Sequence, residues 1–492
     1  KDVTADGLIK FKHTENSFVD FDRDRLTYHM LSTQGPPLAV GDINGDGLED
    51  VYVGGAKGQA GQLFIQNKNG KFAPWKSAAI EADAASEDIE AIFFDADNDG
   101  DLDLLVGSGG NEFSVSAPEL RDRLYINDGK GNFFKSEQTV FNVLRALTGV
   151  LAVADFDRDG STDIFIGARA VPFYYGVPAN GYLLKNDGKG VYTDVTESLA
   201  PELKEIGLIS SAIWSDYDGD GDLDLILTGE WMGIEVFENQ DGKLYRISKQ
   251  LGLDAYSGWW NTIAEADVNN DGKPDYILGN HGLNSRFKTN EEQQIVLYVS
   301  DFDNNGTIDH IYGKQRENQV YPFLLKHDLV MQIPSLKKEY LRFENYNNKY
   351  LSQIFAPAQL DKAIKHEVRY MQSAVLLNQG EGKFKLKELP VEAQFAPVYA
   401  IHVEDLDADG LPDLVLGGNL YEVKPEAGRY DASYGLYLKN TGDGNFKSIP
   451  ARESGLSVKG AIRQIKPIET ATGKYLLIAL NNDELKLIRV NK

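Results

Sequence analysis

The sequence predicts an all-β fold, a β-propeller of radially arranged four-stranded sheets, and three observations predict it. A nine-residue acidic pattern, D-x-[DN]-x-[DN]-G-x-x-D, recurs seven times along the 492 residues, and self-similarity at a fixed period marks a repeat architecture. Short β-branched and aromatic runs flank the copies. LAVGDI, AIFFDA, LAVADF and SAIWSDY lead into the first four, and VYV, LLV, IFI, LIL, YIL, HIY and LVL follow the ninth positions. Such runs, bounded by Gly and Asp, are strands. Finally, the copies start at 42, 95, 155, 216, 267, 301 and 405, mostly about 50 to 60 residues apart, the size of one blade with an extended loop.

Taken in order, each copy reads as a hairpin whose turn is the acidic loop. A third strand often follows and ends in Asn/Gly turn chemistry, as in LFIQNKNGKF, LYINDGKGNF, YLLKNDGKGVY, VFENQDGKLY, VLLNQGEGKF and LYLKNTGDGNF. One unit thus supplies a four-stranded meander, and residues 1–492 form a single propeller domain. The short step from 267 to 301 makes the Asp301 loop either an outer turn of the blade begun at Asp267 or the opening of an abbreviated blade. The long step to 405 contains a helical insertion over 325–370, where SLKKEYLRF and LDKAIKHEV have helical spacing. After Asp413 the pattern decays. Residues 461–490 read as strands without an acidic loop, and pairing them with 8–23 would close the ring and remove both sheet edges. Seven blades are predicted, with eight the alternative if Asp301 opens its own. Trp75 and Trp214 lie in strand contexts and are expected in the core.

The acidic loops carry the metal expectation. Their candidate ligands are Asp42, Asn44, Asp46 and Asp50; Asp95, Asp97, Asp99 and Asp103; Asp155, Asp157, Asp159 and Asp163; and Asp216, Asp218, Asp220 and Asp224. Three further sets are Asp267, Asn269, Asp271 and Asp275; Asp301, Asp303, Asn305 and Asp309; and Asp405, Asp407, Asp409 and Asp413. Calcium wants six to eight oxygens at about 2.3 to 2.6 Å, which carboxylates at positions 1, 3, 5 and 9 with a carbonyl at 7 can supply. Magnesium, with its rigid octahedron and retained waters, suits these loops less. The glycine at position 6 permits the sharp reversal. An EF-hand needs a bidentate Glu at position 12. Here that position holds Val53, Val106, Ile166, Leu227, Leu278, Tyr312 and Leu416, so the helical calcium motif is excluded. Packing three or four carboxylates into one turn is repulsive unless a cation neutralises them. Up to seven Ca2+ ions are expected, and since protein groups fill the coordination positions, they should pin turns and do no chemistry.

Composition narrows the function classes. The formal net charge of −25 repels polyanions, so nucleic acid is not an expected partner. The absence of cysteine removes disulfides, thiolate metal sites and thiol nucleophiles. No apolar run reaches the roughly 20 residues of a transmembrane helix. Chain length and the start at Lys1 leave room for a removed targeting segment or a longer parent protein.

LAVGDINGDGLEDVYVGG and FFDADNDGDLDLLVGSGG resemble the FG-GAP/VCBS repeats of integrin-α-type propellers. Over nearly the whole chain, phrases such as SGWWNTIAEADVNNDGKPDYILGNHGLNS and GRYDASYGLYLKN are similar to bacterial proteins of the ASPIC/UnbV and cartilage-acidic-protein group. That resemblance implies a calcium-binding propeller at an extracellular or bacterial outer-membrane surface. It leaves the ligand open, because propellers host adhesins, sugar binders and lyases alike.

The expected ligand face lies opposite the acidic loops, where Arg169, Tyr174, Trp231, Trp259, Trp260, His281 and Tyr421 gather on the connecting loops. Aromatic plates beside Arg and Asn are what a sugar or peptide surface requires. For Trp259 and Trp260, packing between blades is the competing role. The leading expectation is a non-enzymatic surface or secreted propeller binding a glycan, a peptide or a partner protein. A lyase using Tyr174, His281 and Arg169 is the enzymatic alternative. A structural subunit of an outer-membrane nutrient-uptake complex, docked through 325–370, is the third. No catalytic residue is assigned, and no catalytic triad, P-loop, dinucleotide fingerprint or HExxH motif is present.

Overall fold

A computed structural model describes every residue except 5, 6, 145, 291 and 492. The first sheet is an antiparallel meander of Leu38–Gly41, Asp50–Val53, Gln62–Gln66 and Phe72–Trp75, in chain order. The same meander recurs from Glu87–Phe94 to Phe133–Lys135, from Leu147–Ala154 to Tyr192–Asp194 and from Leu208–Ser215 to Lys243–Arg246. The fifth sheet joins Thr262–Ala266 and Asp275–Gly279 to Ala374–Asn378 and Phe384–Glu388, and the sixth runs from Val398–Glu404 to Phe446–Ile449. A three-stranded seventh sheet follows: Ala461–Thr470, Gly473–Asn481 and Lys486–Arg489. The innermost strand of each packs against the next, and that of the seventh against that of the first. The result is an all-β, propeller-like architecture with few helices. In each acidic-loop hairpin of the ring the second strand is buried along its length, as a strand covered on both faces by neighbouring sheets must be.

The N-terminal segment runs along the outer edge of the seventh sheet. Val3 N–H donates to the Leu487 carbonyl at 2.9 Å, and Leu485 N–H to that of Phe11 at 3.0 Å. His13, fully buried, accepts the Asn482 N–H on Nδ1 at 3.1 Å.

Between the second and third strands of the fifth sheet the chain makes a long excursion, and here the structure departs from the sequence reading. The excursion holds a sheet of its own, ordered Gln319–Pro322, Asp309–Arg316, Gln293–Ser300 and Ile364–Val368. The helices Lys326–Gln332, Phe343–Tyr346, Leu351–Ile354 and Pro357–Lys362 follow Pro322 and precede Ile364. The Asp301 loop therefore turns a hairpin of this inserted sheet. It is neither an outer turn of the fifth sheet nor the opening of a ring sheet. The inserted sheet's Ile364–Val368 packs on Asp224–Met232 of the fourth sheet. Its apolar face forms one large core with Leu26, Tyr28, Tyr175, Trp231 and Phe287, which lies over the loops opposite the acidic turns.

Trp75 is 38% exposed, contrary to the core expectation. It stands at the end of the outermost strand of its sheet, and its indole N–H donates to Gly131 O at 2.9 Å. Trp214 is half-buried and stacks on Phe156.

Candidate functional site: the acidic turns and the covered face

The seven acidic turns share one hydrogen-bond scheme. The first Asp accepts the N–H of the position-6 glycine, at 2.7 Å in Asp42 and 2.8 to 3.0 Å in the other six. That glycine has φ between +81° and +93° in every copy, a region closed to most side chains. The fifth-position side chain accepts the N–H of position 7. The loop is thus folded around its own carboxylates before any ion is considered.

The ninth-position aspartates are buried in all seven turns. Asp224 shows why: Oδ1 accepts the N–H of Asn239 on the third strand at 2.8 Å, and Oδ2 accepts the N–H of Tyr217 at position 2 at 3.3 Å. Burial raises the carboxyls of Asp50, Asp103, Asp163 and Asp224 to about 7 and those of Asp275 and Asp309 to about 6. Backbone N–H donors pull the other way in each, but burial prevails.

Five turns bring three carboxylates within 4.8 Å of one another: Asp95, Asp97 and Asp99; Asp155, Asp157 and Asp163; Asp216, Asp218 and Asp224; Asp301, Asp303 and Asp309; Asp405, Asp407 and Asp413. The other two carry Asn44 and Asn269 at the third position. Oxygens of Asp95, Asp97, Asp157, Asp163 and Asp303 are buried without a hydrogen-bond partner. Convergent, unpartnered carboxylate oxygens fit a hard divalent cation. In three turns a lysine approaches, and in the Asp267 turn Lys273 reaches Asp271 at 3.4 Å. Lys185 pairs with Asp157 and, at 3.0 Å, with Asp159, and Lys439 pairs with Asp407 and, at 3.0 Å, with Asp409.

A repeated side chain that the sequence reading assigned only to a turn links neighbouring sheets. Asn239 Nδ2 donates to the position-2 carbonyl of the preceding sheet's turn, Phe156, at 2.7 Å, and to Leu223 O at 3.0 Å. Asn127, Asn186, Asn378 and Asn440 reach Ile43, Ala96, Tyr217 and Val268 in the same way. In these five sheets the signal was present as the first Asn of the third-strand turn, and in the first sheet Gln66 Nε2 takes that place, donating to Glu49 O and Glu469 O, but the partner lies on another repeat.

On the opposite face, Arg169, Trp231, Trp259 and His281 converge beneath the insertion. Glu230 is the hub: it pairs with Arg169, accepts the Tyr175 hydroxyl at 2.6 Å and faces His29 at 3.4 Å. Burial would raise its carboxyl, but Arg169 and His29 outweigh burial and hold it well below the usual range. Trp231 is buried, donates to Tyr175 at 2.8 Å and meets Trp259 edge-on. His281 packs between Trp259 and Tyr430, and burial lowers it to about 3. Trp260 has no exposed surface and stacks on Tyr370. Trp231 and Trp260 are therefore packing groups, since the insertion and the sheet seam cover the faces on which a ligand would stack. Tyr174 is 41% exposed, and Tyr421 is half-buried beneath the Arg429 guanidinium, 3.6 Å from its ring centre. Of the three residues of the lyase alternative, Tyr174 is exposed while His281 and Arg169 are buried.

A family model described as FG-GAP-like repeat matches residues 42–106, 107–166 and 216–278. The chain is 27% identical over 221 residues to mouse cartilage acidic protein 1, a match covering 43% of this chain and 31% of the mouse protein. It thus spans about a third of that relative's length. Among solved structures, the Vibrio cholerae biofilm matrix protein Bap1 matches with a TM-score of 0.35 at 10% identity, covering 98% of this chain and 91% of that one. The Dos1 propeller matches with a TM-score of 0.38 at 9% identity, covering 94% of each chain.

Proposed function

Starting from a chain that carries FG-GAP-like repeats on a β-propeller-like fold and is homologous in part to cartilage acidic protein 1, we propose a calcium-stabilised, seven-bladed, non-enzymatic binding module. It works at a cell surface or after secretion and engages a partner protein through the face bearing the insertion. The observation that carries this reading is the concentration of exposed apolar side chains in that segment: Leu325 at 46%, Met331 at 48%, Leu341 at 71% and Phe343 at 69%. Lys326 joins two of them, with Nζ over the Phe343 ring and donating to Leu341 O. Exposed apolar groups gathered in one segment mark interaction sites.

Three observations support the rest. The closed order of seven packed sheets supports seven blades, with the Asp301 hairpin outside the ring. Convergent carboxylates support up to seven calcium ions, and extracellular calcium modules bind at about 10⁻⁴ to 10⁻³ M, which suits a protein outside the cell. No helix among the described residues is long and apolar enough to cross a membrane. Burial of Trp231 and Trp260 favours a protein partner over a stacked sugar, while Arg169 spent on Glu230 and a neutral, buried His281 favour binding without catalysis.

Site-specific photo-crosslinking on intact producing cells tests the face. A crosslinker at position 343 is expected to give one reproducible protein adduct, and a crosslinker at position 130, beside the acidic turns, none. Equal labelling at both positions, or none at 343, refutes the proposal.

A further inference from the structure

The innermost strands enclose an axial cavity of about 280 Å³. Four charged residues line it: Arg169, Arg463, Lys466 and Glu90. Arg169 is matched by Glu230. Glu90 accepts from Gln464 Nε2 at 2.7 Å, and although burial raises its carboxyl above the usual range, the Lys466 charge pulls it partway back. Lys466 is exposed and gives the cavity a link to solvent.

Arg463 is the exception. It is only 7% exposed, and among the described residues no carboxylate lies within ion-pair distance; Glu15 and Glu422 act on it only from farther away. Both of its hydrogen bonds leave from Nη1, to Asn419 O at 3.0 Å and Ile462 O at 3.3 Å. Its guanidinium lies over the Tyr399 ring, 4.6 Å from the centre. Nε is buried without an acceptor, as are Arg169 Nε and Asn261 Nδ2 in the same wall. Every unmatched buried side-chain atom of that wall is a donor. A buried guanidinium with no directly paired carboxylate is unfavourable unless something pairs with it, and a planar fork of donors matches a carboxylate.

We propose that the axial cavity binds a small hydroxylated organic acid, its carboxylate on Arg463 and its hydroxyls among Ser210, Ser211 and Thr262, with Lys466 guiding entry. The cavity is just below the roughly 300 to 1,000 Å³ of drug-sized ligand sites, which limits the occupant to one small molecule.

Calorimetry on the calcium-loaded chain, with D-glucuronate and D-glucose as probes, tests this, because the two differ only in the carboxylate. Saturable glucuronate binding is expected with no response to glucose. Sulfate, which has the charge without the hydroxyls, is expected to bind at least tenfold more weakly. Arg463→Gln should weaken glucuronate at least tenfold, and Arg463→Lys should recover part of that. Lys466→Gln, at an exposed position, should weaken it about threefold and flatten its salt dependence. Absence of saturable glucuronate binding, equal response to glucose, sulfate binding as tight as glucuronate, or unchanged affinity in Arg463→Gln each overturns the proposal.

Discussion

Asn239 shows what a single side chain does in this architecture. Its N–H satisfies the buried Asp224 carboxylate, its Nδ2 closes on carbonyls of two sheets, and its Oδ1 accepts the Gly242 N–H at 2.9 Å. Asn239→Ala would strand two buried carbonyls and a turn N–H at about 1 to 3 kcal/mol per unsatisfied group. Allowing for water entry, the expected loss is about 2 to 4 kcal/mol in urea unfolding at saturating calcium. Gln240→Ala, on the exposed neighbour, should stay within about 0.5 kcal/mol of wild type. A loss below that for Asn239→Ala would show that the clasp is replaceable by solvent. In the sequence this residue was visible only as turn chemistry, because its decisive partner is non-local. The ninth aspartates were legible as carboxylates at ligand spacing, but their double attachment to position 2 and to the third strand was not.

At the level of elements, the acidic hairpins were readable because turn, flanking strands and glycine repeat together. The insertion was read only as helix-forming residues. Gln293–Ser300 and Asp309–Arg316 carry the same turn as the ring hairpins, and local pattern does not say which sheet a hairpin joins. Closure by the N-terminal segment makes its own prediction through His13. The Asn482 N–H bond to Nδ1 requires a neutral ring, and burial lowers His13 from 6.5 to about 3. The folded pKa lies below the unfolded one, so in acid the unfolded chain takes the proton first. This stabilisation is complete above pH 6.5 and is lost as pH falls toward 3. Glu15, 3.9 Å from Nδ1 and raised by burial to about 7, acts in the opposite sense over the same window, so the His13 share is read by comparison with a variant. His13→Gln, which keeps an acceptor, should lose less melting temperature than wild type as pH falls through this window, whereas parallel curves for the two proteins would dissociate His13 from the effect.

For the whole molecule, the balance between charge and order is set at the acidic turns. The formal charge is −25, and carboxylates brought within 4.8 Å in five turns oppose folding unless a cation joins them. An ion bound only by the folded chain stabilises it by about 2.7 kcal/mol at a hundredfold excess over Kd. Several such ions would together match the 5 to 15 kcal/mol typical of an entire fold. The proposed calcium therefore decides whether the ring persists. Dialysis against chelator should lower the melting temperature by at least about 10 °C, since each kcal/mol moves a large domain by a few degrees, and added calcium should restore it. The turns are not equivalent: where Lys185 and Lys439 already neutralise positions 3 and 5, an arriving ion must displace an ammonium. A calcium titration should accordingly show the Asp155 and Asp405 turns filling last, and Lys185→Gln with Lys439→Gln should merge them into the tighter class. A melting temperature unmoved by chelation would mean that the hydrogen bonds within the turns suffice without any ion.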